Sequence, residues 1–385
     1  MKVLILTQPL GPNYGGILQA YALQRFFKEN NSYVDTIDWN FCCKKSVFCF
    51  SFLINLFKNI IFKCKGKLFL SPPPEIYYNK IIKKTNEFIV KHISLSKSKY
   101  KCRSNISNYQ ELLDYDIYIA GSDQVWACSS VNKYVKHCMF DFLKDKKNIK
   151  RISYAASFGK DEFCSDSDYI QECKQLLQKF DAISVREDSG IKLCKELFGV
   201  DAVHVIDPTM FFDSEHYIKL SKERNDYFND GDCFSYILDK SDEKQRIINK
   251  ISNKFCLKPF NVMPKSKFAD VGPKHIEDCV MPPVEQWLDG FNKAKFVVTD
   301  SFHGCIFSII FKKPFIAIGN ARRGMARFDS LLRMFKLVNR LIHSESELTE
   351  QLLDSKIDYE AVHEILKKER EKAVKFLKNA LGEER

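Results

Sequence analysis

Short apolar runs that end in glycine- or aspartate-bearing loops recur along this chain, and most of the loops lead into a helical pattern. The first run covers 3–7, after which Gly15-Gly16 open an amphipathic helix that continues through Phe27. A second run follows at 33–38. The same logic repeats in YDIYIAGSDQVW (115–126), RISYAASFG (151–159), DAISVREDSG (181–190) and AVHVIDPTMFF (202–212). Strand, loop and helix in repetition describe a parallel sheet covered on both faces.

After Asp207-Pro208-Thr209, read as a hinge, the pattern restarts. CFSYIL (233–238) is a strand, 241–255 and 282–294 are helices, and KFVVTD and KPFIAIG are strands flanking a helix from Cys305. The expected fold class is α/β, with two Rossmann-like domains built on parallel sheets. The boundaries are 1–207 for the first domain, 208–345 for the second and 346–385 for a charged helical tail. Two such units face each other across a cleft at the C-terminal ends of their strands, where ligands bind in these folds.

The 385 residues are 45% hydrophobic and 28% charged, which excludes a disordered chain. A formal net charge of +11 favours acidic partners, but no Lys/Arg block interleaved with aromatics points to nucleic acid. Most of the 14 cysteines sit singly in apolar or helical segments, Cys42 and Cys43 are adjacent, and no CxxC pair occurs, as expected of small hydrophobes in a reduced cytoplasmic protein. MKVLILTQPL reads as a buried strand and not as a signal peptide. An insert at 42–74 interrupts the first domain, and within it 46–67 is too short and interrupted to span a membrane. On a helix, Ser51, Asn55, Lys58, Asn59 and Lys63 form one stripe and apolar residues fill the rest. A helix lying in a lipid interface fits this pattern, and so does a buried helix or a dimer contact.

The loops carry the chemistry. In TDSFHG, Asp300, Ser301 and His303 surround a helix N-terminus, with Gly304 allowing a tight turn. Backbone N–H groups there favour an anion, and His303 adds a proton donor. Helix capping by Asp300 or Ser301 is the plainer alternative. Arg322, Arg323 and Arg327 follow the next strand, and Arg186 comes from the other domain; guanidinium forks match phosphate and carboxylate. An ion pair of Arg186 with Glu187 or Asp188 is the alternative there. Gly15-Gly16 let a ligand approach a helix N-terminus or simply turn the chain. Asp123, Gln124 and Trp126 are a carboxylate, amide and indole set suited to a sugar, unless Trp126 is core. No GxGxxG, Walker GK[ST] or GxSxG motif occurs, and Asp300 and His303 lack a third metal ligand.

Together NYGGILQAYAL, AGSDQVW, SYAASFG, SVREDSG, VIDPTM and TDSFHG…KKPFIAI resemble the polysaccharide pyruvyl transferase family, in order and spacing, from 1 to about 332. The resemblance implies two Rossmann-like domains arranged as in B-type glycosyltransferases. It implies transfer of pyruvate from phosphoenolpyruvate to a sugar of a surface-polysaccharide precursor, as a ketal, without metal or other cofactor. His303 then falls on the catalytic position, with Asp123 as the candidate base. Arg186, Ser301, Gly304, Arg322, Arg323 and Arg327 would bind the donor. Asn13, Tyr14, Gly15, Gly16, Gln124 and Trp126 would bind a lipid-linked or free glycan acceptor. The enzyme would work in the cytoplasm, peripheral on the inner face of the membrane through 46–67. One departure is plain: many members carry an arginine and a leucine before this histidine, where this chain has Ser301-Phe302. A nucleotide-sugar glycosyltransferase and a non-catalytic relative are the rival readings.

Overall fold

The computed structural model describes residues 1–30, 32–40, 73–101, 106, 109–128, 133–143, 146–320 and 324–382. The segment 46–67 lies outside the described residues, as do Arg322, Arg323 and all but the last two residues of the expected insert.

Seven strands form the first sheet: β1 (Lys2–Leu6), β2 (Tyr33–Asn40), β3 (Leu95–Lys101), β4 (Ile117–Ala120), β5 (Lys150–Ala156), β6 (Ala182–Val185) and β7 (Val203–His204). Every pairing is parallel, in the order β3-β2-β1-β4-β5-β6-β7. KVLIL and IYIA are continuous apolar runs, and all their residues except Lys2 are buried, as a sheet covered on both faces requires. The second sheet contains β8 (Cys233–Tyr236), β9 (Pro259–Phe260), β10 (Phe296–Thr299), β11 (Phe315–Ile318) and β12 (Leu341–Ile342). Its order is β12-β11-β10-β8-β9, again all parallel. Strand order reverses between β1 and β4 in one sheet and between β8 and β10 in the other. Each reversal opens a crevice beyond the strand C-termini.

Three details depart from the sequence reading. β3 and β12 are edge strands that apolar patterning does not reveal; β3 reads LSKSKYK, with Lys97 and Lys99 exposed. The helical stretch after the insert is two helices, Glu75–Ile81 and Lys83–His92, separated at Ile82. The run at 202–212 yields only the two residues of β7, and its end is a 3-10 turn, Pro208–Phe211, capped by the Asp207 side chain.

The domains meet through packed contacts. Tyr14, at the start of helix Tyr14–Glu29, stacks on Trp287 of helix Val284–Lys293 with ring centroids 5.4 Å apart, and its hydroxyl donates to the Pro282 carbonyl at 2.9 Å. Gly324, at φ +86°, lies against the Gly159 carbonyl so closely that an added Cβ would collide with it. Helix Tyr359–Leu381 starts on the second domain, where the Tyr359 hydroxyl donates to Ser308 O, and ends on the first, where Lys150 Nζ donates to Ala380 O. Among the described residues no helix is long and apolar enough to cross a membrane, and the nine cysteines are unpaired.

Candidate active site

A cleft of about 870 Å³ opens between the domains at the C-terminal ends of the strands. Its lining includes Gln8, Asn13, Asp123 and Gln124 from the first domain and Ser301, Phe302, His303 and Arg327 from the second.

β10 delivers the histidine. The strand ends in Thr299-Asp300, Ser301 caps the nine-residue helix Phe302–Ile310 by accepting from the Gly304 amide, and His303 lies in its first turn. Asp300 borders the cleft, but its carboxylate is bonded within the second domain. It is fully buried, with Oδ1 accepting from Leu238 N at 2.6 Å and Oδ2 pairing with Lys244 Nζ at 2.6 Å. That carboxylate shapes the loop after β8. Gly304 is a packing residue: a Cβ there would collide with the Thr299 hydroxyl, and it does not line the cleft.

Opposite His303 sits Asp207, which the sequence reading treated only as a hinge although VIDPTM is among the quoted motifs. Its Oδ1 accepts from Thr209 N at 3.0 Å and Thr209 Oγ1 at 2.7 Å. Its Oδ2 accepts from Ser122 Oγ at 3.0 Å and Arg186 Nη1 at 2.8 Å, and stands 3.5 Å from His303 Nε2, an ion-pair separation. Burial opposes ionisation of Asp207, but His303 and Arg186 outweigh it and hold the carboxyl far below the usual carboxylate range.

Arg186 was expected to grip the donor, and the structure corrects this. The guanidinium is 1% exposed, paired with Asp207 and, at 3.4 Å, with Asp123 Oδ1, and is roofed by the Phe302 ring 4.4 Å away. It is not among the residues that line the cleft: its Nη1 and Nη2 are turned to Asp207, Ser122 and Asp123, its Nε is buried without a partner, and an aromatic face covers it. The expected partners Glu187 and Asp188 do not take it. Glu187 Oε1 accepts from Phe158 N, Gly159 N and Ser157 Oγ, and Asp188 pairs with Arg333 at 3.4 Å. Burial lifts the Glu187 carboxyl above its usual value.

Asp123 does line the cleft. It stands at φ +75° after β4, a strained setting for a non-glycine residue, held by amides of Val125 and Ser157 donating to its carbonyl. Burial opposes its ionisation, but Arg186, His303 and Arg327 more than compensate and hold its carboxyl below the usual value. Asn13 Nδ2 reaches its Oδ2 at 3.4 Å. The Arg327 guanidinium lies 5.7 Å from the Phe302 ring centroid. With the Gln124 amide turned to present its oxygen, that oxygen accepts from Arg327 Nη1 at 3.0 Å.

Four residues expected to hold an acceptor lie elsewhere or act indirectly. Trp126 is fully buried in the first domain's core and donates to the Cys138 carbonyl at 3.2 Å. Tyr14 is spent on the domain junction. Gly16 faces the Asn13 side chain, and Gly15 lies against the His303 ring, where a Cβ would collide with Nδ1 and Cγ. Gln8, Lys160 and Lys267 also line the cleft and were missed. Of these, Gln8, directly after the first strand, and Lys160, directly after RISYAASFG, stood where a strand-end loop signals a site.

A family profile described as polysaccharide pyruvyl transferase matches residues 13–322. No curated protein matches the chain. Solved structures of similar architecture include the UDP-GlcNAc 2-epimerase from Methanocaldococcus jannaschii, at 12% identity, covering 95% of this chain and 92% of that one, with a TM-score of 0.47. The Staphylococcus aureus MnaA–UDP structure matches at 11% identity, with 99% and 97% of the two chains covered and a TM-score of 0.47. A glycosyltransferase from Rickettsia africae matches at 13% identity, with 99% and 98% covered and a TM-score of 0.44. With two parallel α/β sheets and a profile match over most of its length, the chain belongs to the polysaccharide pyruvyl transferase family and is a transferase of pyruvyl groups to polysaccharide sugars.

Proposed function

We propose that the donor is phosphoenolpyruvate and the acceptor a sugar of a surface-polysaccharide precursor, with His303, Asp123 and Arg327 carrying the reaction. The supporting observation is that these three side chains, one from the first domain and two from the second, line a single cleft. Protonation of C3 of the enol by the His303 imidazolium turns C2 into an oxocarbenium-like electrophile. A sugar hydroxyl bonds to C2 and passes its proton to Asp123. The C2–O bond to phosphate then breaks, the phosphate leaving with the proton held by Asp123, and a second hydroxyl bonds to C2 and closes the ketal as its proton returns to the neutral His303 ring. Arg327 offers a fork to the donor's carboxylate or phosphate, beside the N-terminus of helix Phe302–Ile310. Arg322 and Arg323, outside the described residues, are proposed as further donor contacts.

The acceptor is proposed to be lipid-linked at the inner face of the cytoplasmic membrane, with 46–67 touching the lipid. Apolar residues interleaved with lysines in that segment, and the net charge of +11, support this. Two experiments test the proposal. Phosphate release with phosphoenolpyruvate, but not with nucleotide sugars, is expected in the presence of precursor glycans. In liposome flotation, wild type is expected to float, and a chain with Phe48, Phe57 and Ile61 changed to Ser is expected to stay at the bottom. Equal failure of both to float removes the membrane contact.

A further inference from the structure

We infer that Asp207 and Gly15, both from the first domain, are positioning residues that fix the His303 ring so that Nδ1 is the nitrogen that works in the cleft. The inference rests on the pyruvyl-transfer reading for what Nδ1 does, but the ring's orientation stands on geometry alone.

Nε2 of His303 is sealed from solvent without a hydrogen-bond partner, 3.5 Å from Asp207 Oδ2. Asp207 cannot swing away, because Thr209, Ser122 and Arg186 hold both its oxygens. An imidazole nitrogen buried beside a fixed carboxylate keeps its proton, and in the neutral ring this selects the Nε2–H tautomer. His303 nevertheless lines the cleft, so chemistry there is left to Nδ1. In the imidazolium, the Nδ1–H bond breaks as the C3–H bond of the enol forms. The ring is left neutral, with its remaining proton on Nε2 facing Asp207.

Gly15 sets the other side of the ring. Its Cα lies so close that any β-carbon would strike Nδ1 and Cγ. The neighbour is a ring held by its own helix, not the end of a flexible chain, so the ring must turn if a methyl is added. Asp207 and Gly15 therefore grip a histidine that belongs to the other domain. Its orientation is correct only while the domains are docked as they are here. The charged groups around the ring are Asp207 and Asp123, with Arg186 behind them, and Arg327 lines the same cleft.

The test is the histidine ring spectrum of the full chain labelled with 15N-histidine, with His303 assigned by its loss in His303→Gln. Two-bond 1H–15N correlations are expected to show the neutral ring protonated on Nε2; protonation on Nδ1 overturns the inference. Apart from the folded His303→Gln protein used for assignment, this measurement needs no variant and no substrate, so it fails independently of the transfer reaction, which is tested by wild-type turnover. Gly15→Ala and Asp207→Asn are each expected to lower kcat about 10- to 100-fold with KM for phosphoenolpyruvate changed less than threefold. Asp207→Glu is expected to recover part of the loss. A folded Gly15→Ala protein with wild-type kcat also overturns the inference.

Discussion

The Phe302 ring lies 4.4 Å from the Arg186 guanidinium carbon and closes it off from the cleft, while the Arg327 guanidinium lies 5.7 Å from the same ring. Two arginines near one aromatic ring thus have different work. Arg186 neutralises Asp207 and Asp123 in the interior, so Arg186→Met leaves two buried carboxylates without their cation. The expected cost is about 3–5 kcal/mol of stability, read from urea unfolding. A loss below about 1 kcal/mol would mean the pair is solvated.

Arg327 lines the cleft, and its change should appear in donor binding. Arg327→Ala is expected to raise KM for phosphoenolpyruvate about 10- to 100-fold, the worth of a charge-assisted hydrogen bond. Steady-state kinetics decides, and an unchanged KM would remove Arg327 from the donor site.

Acid should unfold the protein through its paired carboxylates. Asp207 and Asp123 are held below their usual value, so they release protons in the folded state at lower pH than in the unfolded chain. Their ionised forms stabilise the fold fully above the ordinary carboxylate range, and this is lost as pH falls below about 4 toward the folded values. Asp207→Asn should flatten that acid limb in urea midpoints measured against pH. Glu187 runs the other way. Its raised carboxyl favours the fold below its ordinary value and disfavours it as pH rises through the folded value. Glu187→Gln should therefore shrink the difference between midpoints at pH 5 and pH 8.

Gly324→Ala tests the domain joint. The residue needs φ +86° and has the Gly159 carbonyl where a methyl would go. Strain alone is expected to cost about 1–3 kcal/mol, and the collision should spread the domains. A lower melting temperature together with a larger radius of gyration by small-angle scattering is the expected result. Unchanged values would show that the joint yields.

Much of this was legible because buried parallel strands leave continuous apolar runs, and the loops at their ends are where ligands bind. Asp123, Ser301, His303 and Arg327, which line the cleft, were picked out that way. Residue type alone cannot say which side a loop residue faces. Trp126 and Arg186 carry suitable chemistry, yet one is packed in a core and the other is sealed under Phe302. Asp207 was passed over because Asp-Pro reads as a turn signal, and the turn is real, but its carboxylate also meets a histidine 96 residues further along the chain. Gly15 looked like room for a ligand when the room is taken by His303. β3 was hidden because an edge strand rich in lysine lacks an apolar run.

The most direct measurement is mass spectrometry of a polysaccharide precursor incubated with phosphoenolpyruvate and either wild type or His303→Ala, with released phosphate counted in parallel. Wild type is expected to add one pyruvyl ketal per phosphate released, and His303→Ala, folded by circular dichroism, to be slower by about 10²–10⁴-fold. Ketal formation by His303→Ala at the wild-type rate would contradict the account.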